Sequence, residues 1–216
     1  TATFDILTGA VTPSGKLTTT WAKNYSDYPA SDTFGANDGD ELLELYNEGI
    51  YVGYRYFDTF NITPAYEFGY GLSYTDFNID VKDVTVDEEN VTVDVRVTNV
   101  GEKYAGKEVV EVYFSAPDGA LEKPYQELAT YGKTDTLAPG ESQELTLSDA
   151  TTEMSSYSQD LAAYVMENGD YVVRVGNSSR NTSVEAVINL DSNKVTEQLS
   201  NQMVQDEAIE TLSNEG

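Results

Sequence analysis

The chain has 216 residues, 39% of them hydrophobic and 23% charged, a composition typical of a soluble globular protein. The 38 acidic residues outnumber the 12 basic ones, and the formal net charge of −26 disfavours nucleic acid and anionic membranes as partners. The chain has no cysteine and no histidine, which excludes disulfides, thiolate zinc sites, imidazole metal ligands and Ser-His-Asp triads.

The first 75 residues contain turn signals and many aromatic side chains but little sustained periodicity. A short helix is predicted from Ala2 to Thr8, ending at Gly9, because glycine commonly terminates helices. The start has no signal-peptide pattern, and no apolar run reaches the roughly 20 residues that span a bilayer. We predict that residues 1–75 are incomplete as a domain, and the compartment stays undetermined.

The pattern changes to a period of two in residues 76–190. In Val91–Thr98, four valines alternate with polar residues and are predicted to lie on one face of a half-buried strand. Similar strand signals, separated by turn sequences, lie at Phe77–Val86, Glu108–Ser115, Glu141–Leu147, Tyr171–Gly176 and Ser183–Leu190. Six or seven short strands with this spacing predict an antiparallel β-sandwich.

The last stretch, residues 191–216, is rich in acids and amides. Its apolar residues follow an imperfect helical spacing, at Val195, Leu199, Met203, Ile209 and Leu212. We therefore predict a partly helical linker or tail.

Three motifs stand out in the first third of the chain: Thr8–Leu17 (TGAVTPSGKL), Tyr46–Asp58 (YNEGIYVGYRYFD) and Tyr66–Tyr74 (YEFGYGLSY). In this order and spacing they resemble the late part of the α/β sandwich domain of family 3 glycoside hydrolases, the β-glucosidase family. The following sequence is similar to the fibronectin type III-like domain of many members, at Thr98–Gly101, Gly106–Tyr113, Leu137–Glu141 and Gly169–Gly176.

The resemblance covers residues 1–190 and implies a mainly β fold. It predicts a fibronectin type III-like antiparallel β-sandwich at 76–190, preceded at 1–75 by an incomplete segment of the α/β sandwich domain. Some relatives carry their domains in permuted order, so residues 191–216 are either a connector into a barrel domain or a simple tail.

The resemblance also implies that the catalytic groups lie elsewhere. In the family an aspartate nucleophile sits in a separate barrel domain, and the acid/base glutamate lies upstream of the Pro-Ser-Gly-Lys-Leu text. Retaining glycosidases need these two carboxyls about 5 Å apart. We therefore predict no catalytic, cofactor-binding or metal-binding residue in this chain, and no activity of the chain alone. The expected partners are the barrel and upstream α/β portion of a parent enzyme, through which a carbohydrate substrate is bound.

Two carboxylates in the motif text, Glu48 and Asp58, are the candidates for a catalytic pair. We interpret Glu48 instead as a partner of Arg55 in a buried structural network.

The acidic run Asn37–Glu41 resembles a calcium loop but lacks its ligand spacing, so we predict a mobile acidic loop. Five Asn-x-Ser/Thr sequons carry little weight without a secretory signal, at Asn24, Asn61, Asn90, Asn177 and Asn181.

The sixteen tyrosines and Trp21 allow two interpretations, stacking on pyranose rings or sealing one domain against the next. We favour packing for the motif aromatics, Tyr51, Tyr54, Tyr56, Phe57, Phe68 and Tyr70.

Gly69 and Gly71 are expected at backbone positions closed to other residues, because glycine enters positive φ at low cost. A glycan-binding module and a purely structural spacer remain the alternatives to a supporting part of a glycosidase.

Overall fold

The computed structural model describes residues 2–35, 39, 42, 44–202 and 209–214. Its α-helices are α1 (Ala2–Leu7) and α2 (Tyr54–Thr59), with 3-10 turns at Tyr25–Asp27 and Thr151–Met154. The strands in these residues are β1 (Phe77–Val86), β2 (Asn90–Asn99), β3 (Val109–Ser115), β4 (Glu127–Lys133), β5 (Ser142–Ala150), β6 (Ser156–Ser158), β7 (Ala163–Met166), β8 (Gly169–Ser178), β9 (Asn181–Leu190) and β10 (Lys194–Gln198). The predicted helix at Ala2 is confirmed. The acidic run 37–41 lies outside the described residues except for Gly39.

Two antiparallel sheets form the predicted sandwich, with strand orders β1-β2-β5 and β4-β3-β8-β9. The alternation at β2 arises because successive side chains of a strand point to opposite faces. Its four valines are at most 4% exposed, at Val91, Val93, Val95 and Val97. They share one core with inward residues of β3 and β8, namely Val110, Val112, Phe114, Val173 and Val175. The mainly β, antiparallel sandwich fold is confirmed.

A third small sheet, ordered β10-β7-β6, was not predicted. Its strand β10 occupies the stretch expected to be partly helical, and that expectation is wrong at Lys194–Gln198. Here β10 pairs with β7, from Lys194 opposite Met166 to Gln198 opposite Ala163. The free edge of β7 supplies a ladder of backbone partners, and that pairing outweighs a weak helical spacing. Met203, part of the helical pattern, lies outside the described residues.

Strand β3 is buried on both faces, which an ordinary two-sheet sandwich does not require. Val110, Val112 and Phe114 point into the core, while Glu111 and Tyr113 alternate with them on the outer face and are also buried. The outer face is covered by residues 1–75, hereafter the motif segment. Within its described residues the motif segment has no strand of its own, only an isolated antiparallel bridge between Trp21 and Tyr66. The sandwich therefore provides the surface on which the motif segment is laid.

No helix in the described part of the chain is both long enough and apolar enough to cross a bilayer.

Candidate functional site

The carboxylate of Asp58, near the end of α2, is held by the turn between β8 and β9. Arg180 donates from Nε to Asp58 Oδ1 at 2.8 Å, and from Nη2 to the carbonyls of Phe57 and Ile62, each at 2.8 Å. Gln126 donates from Nε2 to Asp58 Oδ2 at 3.0 Å. The Asp58 side chain is only 5% exposed. Asp58 is therefore a structural anion whose oxygens are already occupied.

Burial raises the pKa of Asp58, while the hydrogen bond from Gln126 and the guanidinium of Arg180 lower it. A raised carboxyl pKa can mark a catalytic acid. Here it reflects burial between the motif segment and the sandwich, because both oxygens already accept hydrogen bonds from the sandwich side.

Arg55, at the start of α2, forms an ion pair with Glu127, the first residue of β4. Arg55 Nη2 lies 2.8 Å from Glu127 Oε2, and the neighbouring Tyr54 hydroxyl accepts a hydrogen bond from Leu128 N–H at 2.8 Å. The predicted pairing of Arg55 with Glu48 is therefore wrong.

The chain path explains that error. Between Glu48 and Arg55 the backbone passes through two left-handed glycines, Gly49 with φ of +61° and Gly53 with φ of +59°. These residues redirect the chain before α2 begins, so the helix presents Arg55 to β4.

The motif aromatics pack mainly against one another and against the sandwich. Tyr51 and Phe57 are 0% and 1% exposed. Ring centroids lie 5.0 Å apart for Tyr51 and Phe60, and 5.9 Å apart for Tyr54 and Tyr113 of β3. Edge-to-face contacts at these distances are favourable between aromatic rings. For this group the packing interpretation has direct support.

Three glutamates meet where the motif segment covers the outer face of β3: Glu67 of the motif segment, Glu108 and Glu111. We call them the junction carboxylates. Lys16 Nζ lies 3.0 Å from Glu108 Oε1. Tyr113 donates its hydroxyl proton to Glu111 Oε2 at 2.6 Å. The sequence motifs contain Lys16 and Glu67, but no local pattern indicated that they would meet β3, because the contact joins distant parts of the chain.

The glycines of the Tyr66–Tyr74 motif allow this close approach. Gly69 has φ of +80°, and a Cβ there would lie 2.5 Å from Glu111 Oε2 and 2.7 Å from Ser178 Cα. The expectation for Gly69 is confirmed. Gly71 does not have positive φ, so that part of the expectation is wrong; it is needed because a Cβ would lie 2.7 Å from the Gly15 carbonyl oxygen.

Glu122, in the loop before β4, joins the motif segment to the C-terminal stretch. It accepts a hydrogen bond from the Tyr51 hydroxyl at 2.9 Å and another from Asn214 N–H. Leu212 N–H also donates to the Asn47 carbonyl at 2.7 Å. The sequence offered no signal for this return of the chain. The loop itself is anchored by a buried ion pair between Lys123 and Glu167.

In the described residues, no three Asp or Glu side chains are placed together so as to hold a metal ion.

Two family descriptions match the chain. Residues 1–54 match the glycosyl hydrolase family 3 C-terminal domain, and residues 108–179 match the fibronectin type III-like domain. Residues 1–54 therefore belong to the C-terminal domain of glycoside hydrolase family 3. In this chain, Asp58 and Arg55 fasten the Tyr46–Asp58 motif to the fibronectin-like sandwich.

Similar family 3 proteins are named as β-glucosidases. The β-glucosidase A of Butyrivibrio fibrisolvens is 40% identical over 92% of this chain and 26% of its own length. A β-glucosidase structure from Paenibacillus barengoltzii superposes with a TM-score of 0.88 at 43% identity, covering 93% of this chain and 23% of that one. For β-glucosidase 3B of Thermotoga neapolitana in complex with α-D-glucose, the TM-score is 0.83 at 44% identity, covering 89% and 27%. The chain thus spans about a quarter of the length of these relatives.

Proposed function

We propose that this chain is a non-catalytic portion of a retaining, β-glucosidase-type glycoside hydrolase, and that it supports an active site whose nucleophile and acid/base lie outside residues 1–216. The observation that carries the proposal is the engagement of Asp58. This motif carboxylate is buried. One of its oxygens accepts a hydrogen bond from Arg180 and the other accepts one from Gln126. A catalytic carboxylate must be able to reach a glycosidic bond, and Asp58 has no such access.

Apolar surface on the motif segment supports a large partner domain. Helix α1 has no buried residue, and its Phe4 and Leu7 are largely exposed. Val52 and Tyr46 of the Tyr46–Asp58 motif are exposed as well. Apolar side chains grouped on a segment that has no sheet of its own are typical of an interface. We assign this surface to the barrel and the remaining α/β portion of the parent, through which the carbohydrate substrate is bound.

A second candidate function, glycan binding by this chain itself, is favoured by one exposed aromatic group. Trp21 and Tyr66 are directly opposite each other in their antiparallel bridge, so both side chains project from the same face. Trp21 is 53% exposed, and the Tyr70 ring lies 4.8 Å from that of Tyr66. Such rings could stack on a pyranose. Trp21 is the single tryptophan of the chain, so a titration with cello-oligosaccharides followed by its fluorescence distinguishes the two functions.

A domain replacement tests the leading proposal. The matching quarter of the Butyrivibrio fibrisolvens enzyme is replaced by this chain, and hydrolysis of nitrophenyl β-glucoside is measured. We expect the chimera to be active, and its Arg180→Met variant to lose activity on mild heating sooner than an Arg96→Met control. Arg96 is a suitable control because its ion pair with Glu144 is exposed on the opposite sheet. A folded chimera with no activity would argue against a supporting role.

A further inference from the structure

The junction carboxylates place three acidic groups beside one lysine. Glu111 lies on β3, Glu108 directly precedes that strand, and Glu67 belongs to the Tyr66–Tyr74 motif. Lys16 is the positive charge that faces Glu111 among the described residues, and its ammonium is 3.0 Å from Glu108 Oε1. Lys16 also donates to the Asn177 carbonyl at 3.1 Å. With all three glutamates ionised, the group would carry a net charge of −2 at a buried junction.

Glu111 is the member least able to keep its charge. It is 4% exposed, and its bonded neighbour Tyr113 is fully buried. Tyr113 stabilises it with a neutral phenol, which offsets less desolvation than a cation would. Burial raises the pKa of Glu111; the Tyr113 hydrogen bond and Lys16 lower it, and the charges of Glu108 and Glu67 raise it further. The net direction is upward.

The motif segment rests directly on this carboxyl. The Gly69 backbone is so close that a Cβ would lie within 2.7 Å of both Glu111 carboxyl oxygens. Beside it, Ser179 N–H donates to the Phe68 carbonyl at 3.0 Å, a backbone bond between motif segment and sandwich. Tyr54 and Asp58, on α2, face Tyr113 from the same side. The charge on Glu111 is therefore placed where it acts on the attachment of the motif segment.

We propose that protonation of Glu111 strengthens the attachment of the motif segment to the sandwich, and that loss of this proton as the pH rises weakens it. The protonated acid still accepts the Tyr113 hydrogen bond on one oxygen. The ionised form adds a third negative charge beside Lys16 without adding a partner. A cavity of about 330 Å³ is lined by Lys16 and Glu108, the ion pair beside Glu111.

The direction of the pH dependence follows from linkage. Because the pKa of Glu111 is raised on folding, its contribution to stability is complete below the pKa of an unfolded glutamate, about 4.3. That contribution is lost as pH rises through the folded-state pKa. The attachment should therefore be strongest in mild acid, whatever enzyme the chain supports, and it can be measured on this chain alone.

Fluorescence of Trp21, which lies in the motif segment, reports on the attachment. Urea unfolding is followed from about pH 5 to about pH 8 for the original chain, Glu111→Gln and Glu102→Gln. Glu102 is exposed and provides the same change in net charge. We expect the unfolding midpoint of the original chain and of Glu102→Gln to fall as pH rises. Glu111→Gln should show a smaller fall and exceed the others at the alkaline end. Equal pH dependence in all three would overturn the proposal.

An infrared measurement on the unmodified chain keeps the test decisive if Glu111→Gln does not fold. A buried protonated carboxyl gives a C=O stretching band distinct from that of carboxylates. We expect this band in mild acid and its loss on raising the pH, in step with the change in Trp21 fluorescence. Absence of the band in mild acid in the folded chain would show that Glu111 is already ionised there and contradict the proposal.

Discussion

Arg180 and Asp58 are 122 residues apart in the chain, yet Arg180 Nε lies 2.8 Å from Asp58 Oδ1. The contact joins the turn between β8 and β9 to the last turn of α2, and Arg180 adds two bonds to backbone carbonyls there. The guanidinium suits this position because its planar array of donors serves several acceptors at once.

Replacement of Arg180 by methionine should lower the free energy of unfolding by about 2 to 3 kcal/mol, because it leaves the buried Asp58 carboxylate without its cation. Arg96→Met, which breaks an exposed pair with Glu144, should cost less than about 1 kcal/mol. Urea unfolding of both variants measures the difference. Equal losses would mean that the Arg180 contact is no more than a surface ion pair.

A second prediction concerns Gly69. Alanine there must adopt φ of +80° and also meet Glu111 and Ser178. Gly140 has φ of +78° but open space around its Cβ position, so Gly140→Ala carries the backbone strain alone. Gly69→Ala should therefore lower the thermal midpoint clearly more than Gly140→Ala. Similar midpoints for the two variants would show that the close approach of Gly69 to Glu111 is unimportant.

The sandwich core provides a third prediction. Val95→Asp places an unpaired charge in a position that is 1% exposed, and should destabilise the chain by several kcal/mol, on the order of 3 to 5. The exposed Val184→Asp on β9 should change stability little. Thermal melts followed by circular dichroism compare the two. An unchanged midpoint for Val95→Asp would contradict the assignment of β2 to the core.

A fourth prediction concerns the contact between the C-terminal stretch and Glu122. Burial alone would raise the pKa of Glu122, but hydrogen bonds from Asn214, Ser213 and Tyr51 outweigh it and the pKa is lowered. The stabilisation is therefore present above the pKa of an unfolded glutamate and lost as pH falls through the lower folded value.

Amide exchange at Leu212, whose N–H bonds to the Asn47 carbonyl, measures that contact. Its protection should decrease in acid relative to the Val100 amide of the sandwich, and Glu122→Gln should remove the difference. Unchanged relative protection at Leu212 across the acid range would show that Glu122 does not hold the stretch.

The sandwich could be predicted from the sequence because the relevant signal is local. The valines of β2 alternate along eight residues, and strand geometry alone converts that into a buried face. Strand β10 was mistaken for helix because its structure depends on the free edge of β7, which no local window contains.

The junction shows the same limit more strongly. The motifs do not indicate that Arg55 pairs with Glu127 instead of Glu48, which is closer in sequence. That pairing depends on the backbone path through Gly49 and Gly53. In the sequence, Glu111 is an ordinary polar position within the strand signal Glu108–Ser115. Its burial becomes visible only when the motif segment covers the outer face of β3. The order of domains in a parent gene stays a prediction.

The central claim is that the chain supports catalysis without performing it, and hydrolysis of nitrophenyl β-glucoside by the purified chain tests this most directly. We expect no turnover above the blank, and no change in the Glu48→Gln and Asp58→Asn variants. Turnover by the chain that disappears in either variant would place a catalytic carboxylate within the motif segment and contradict the account.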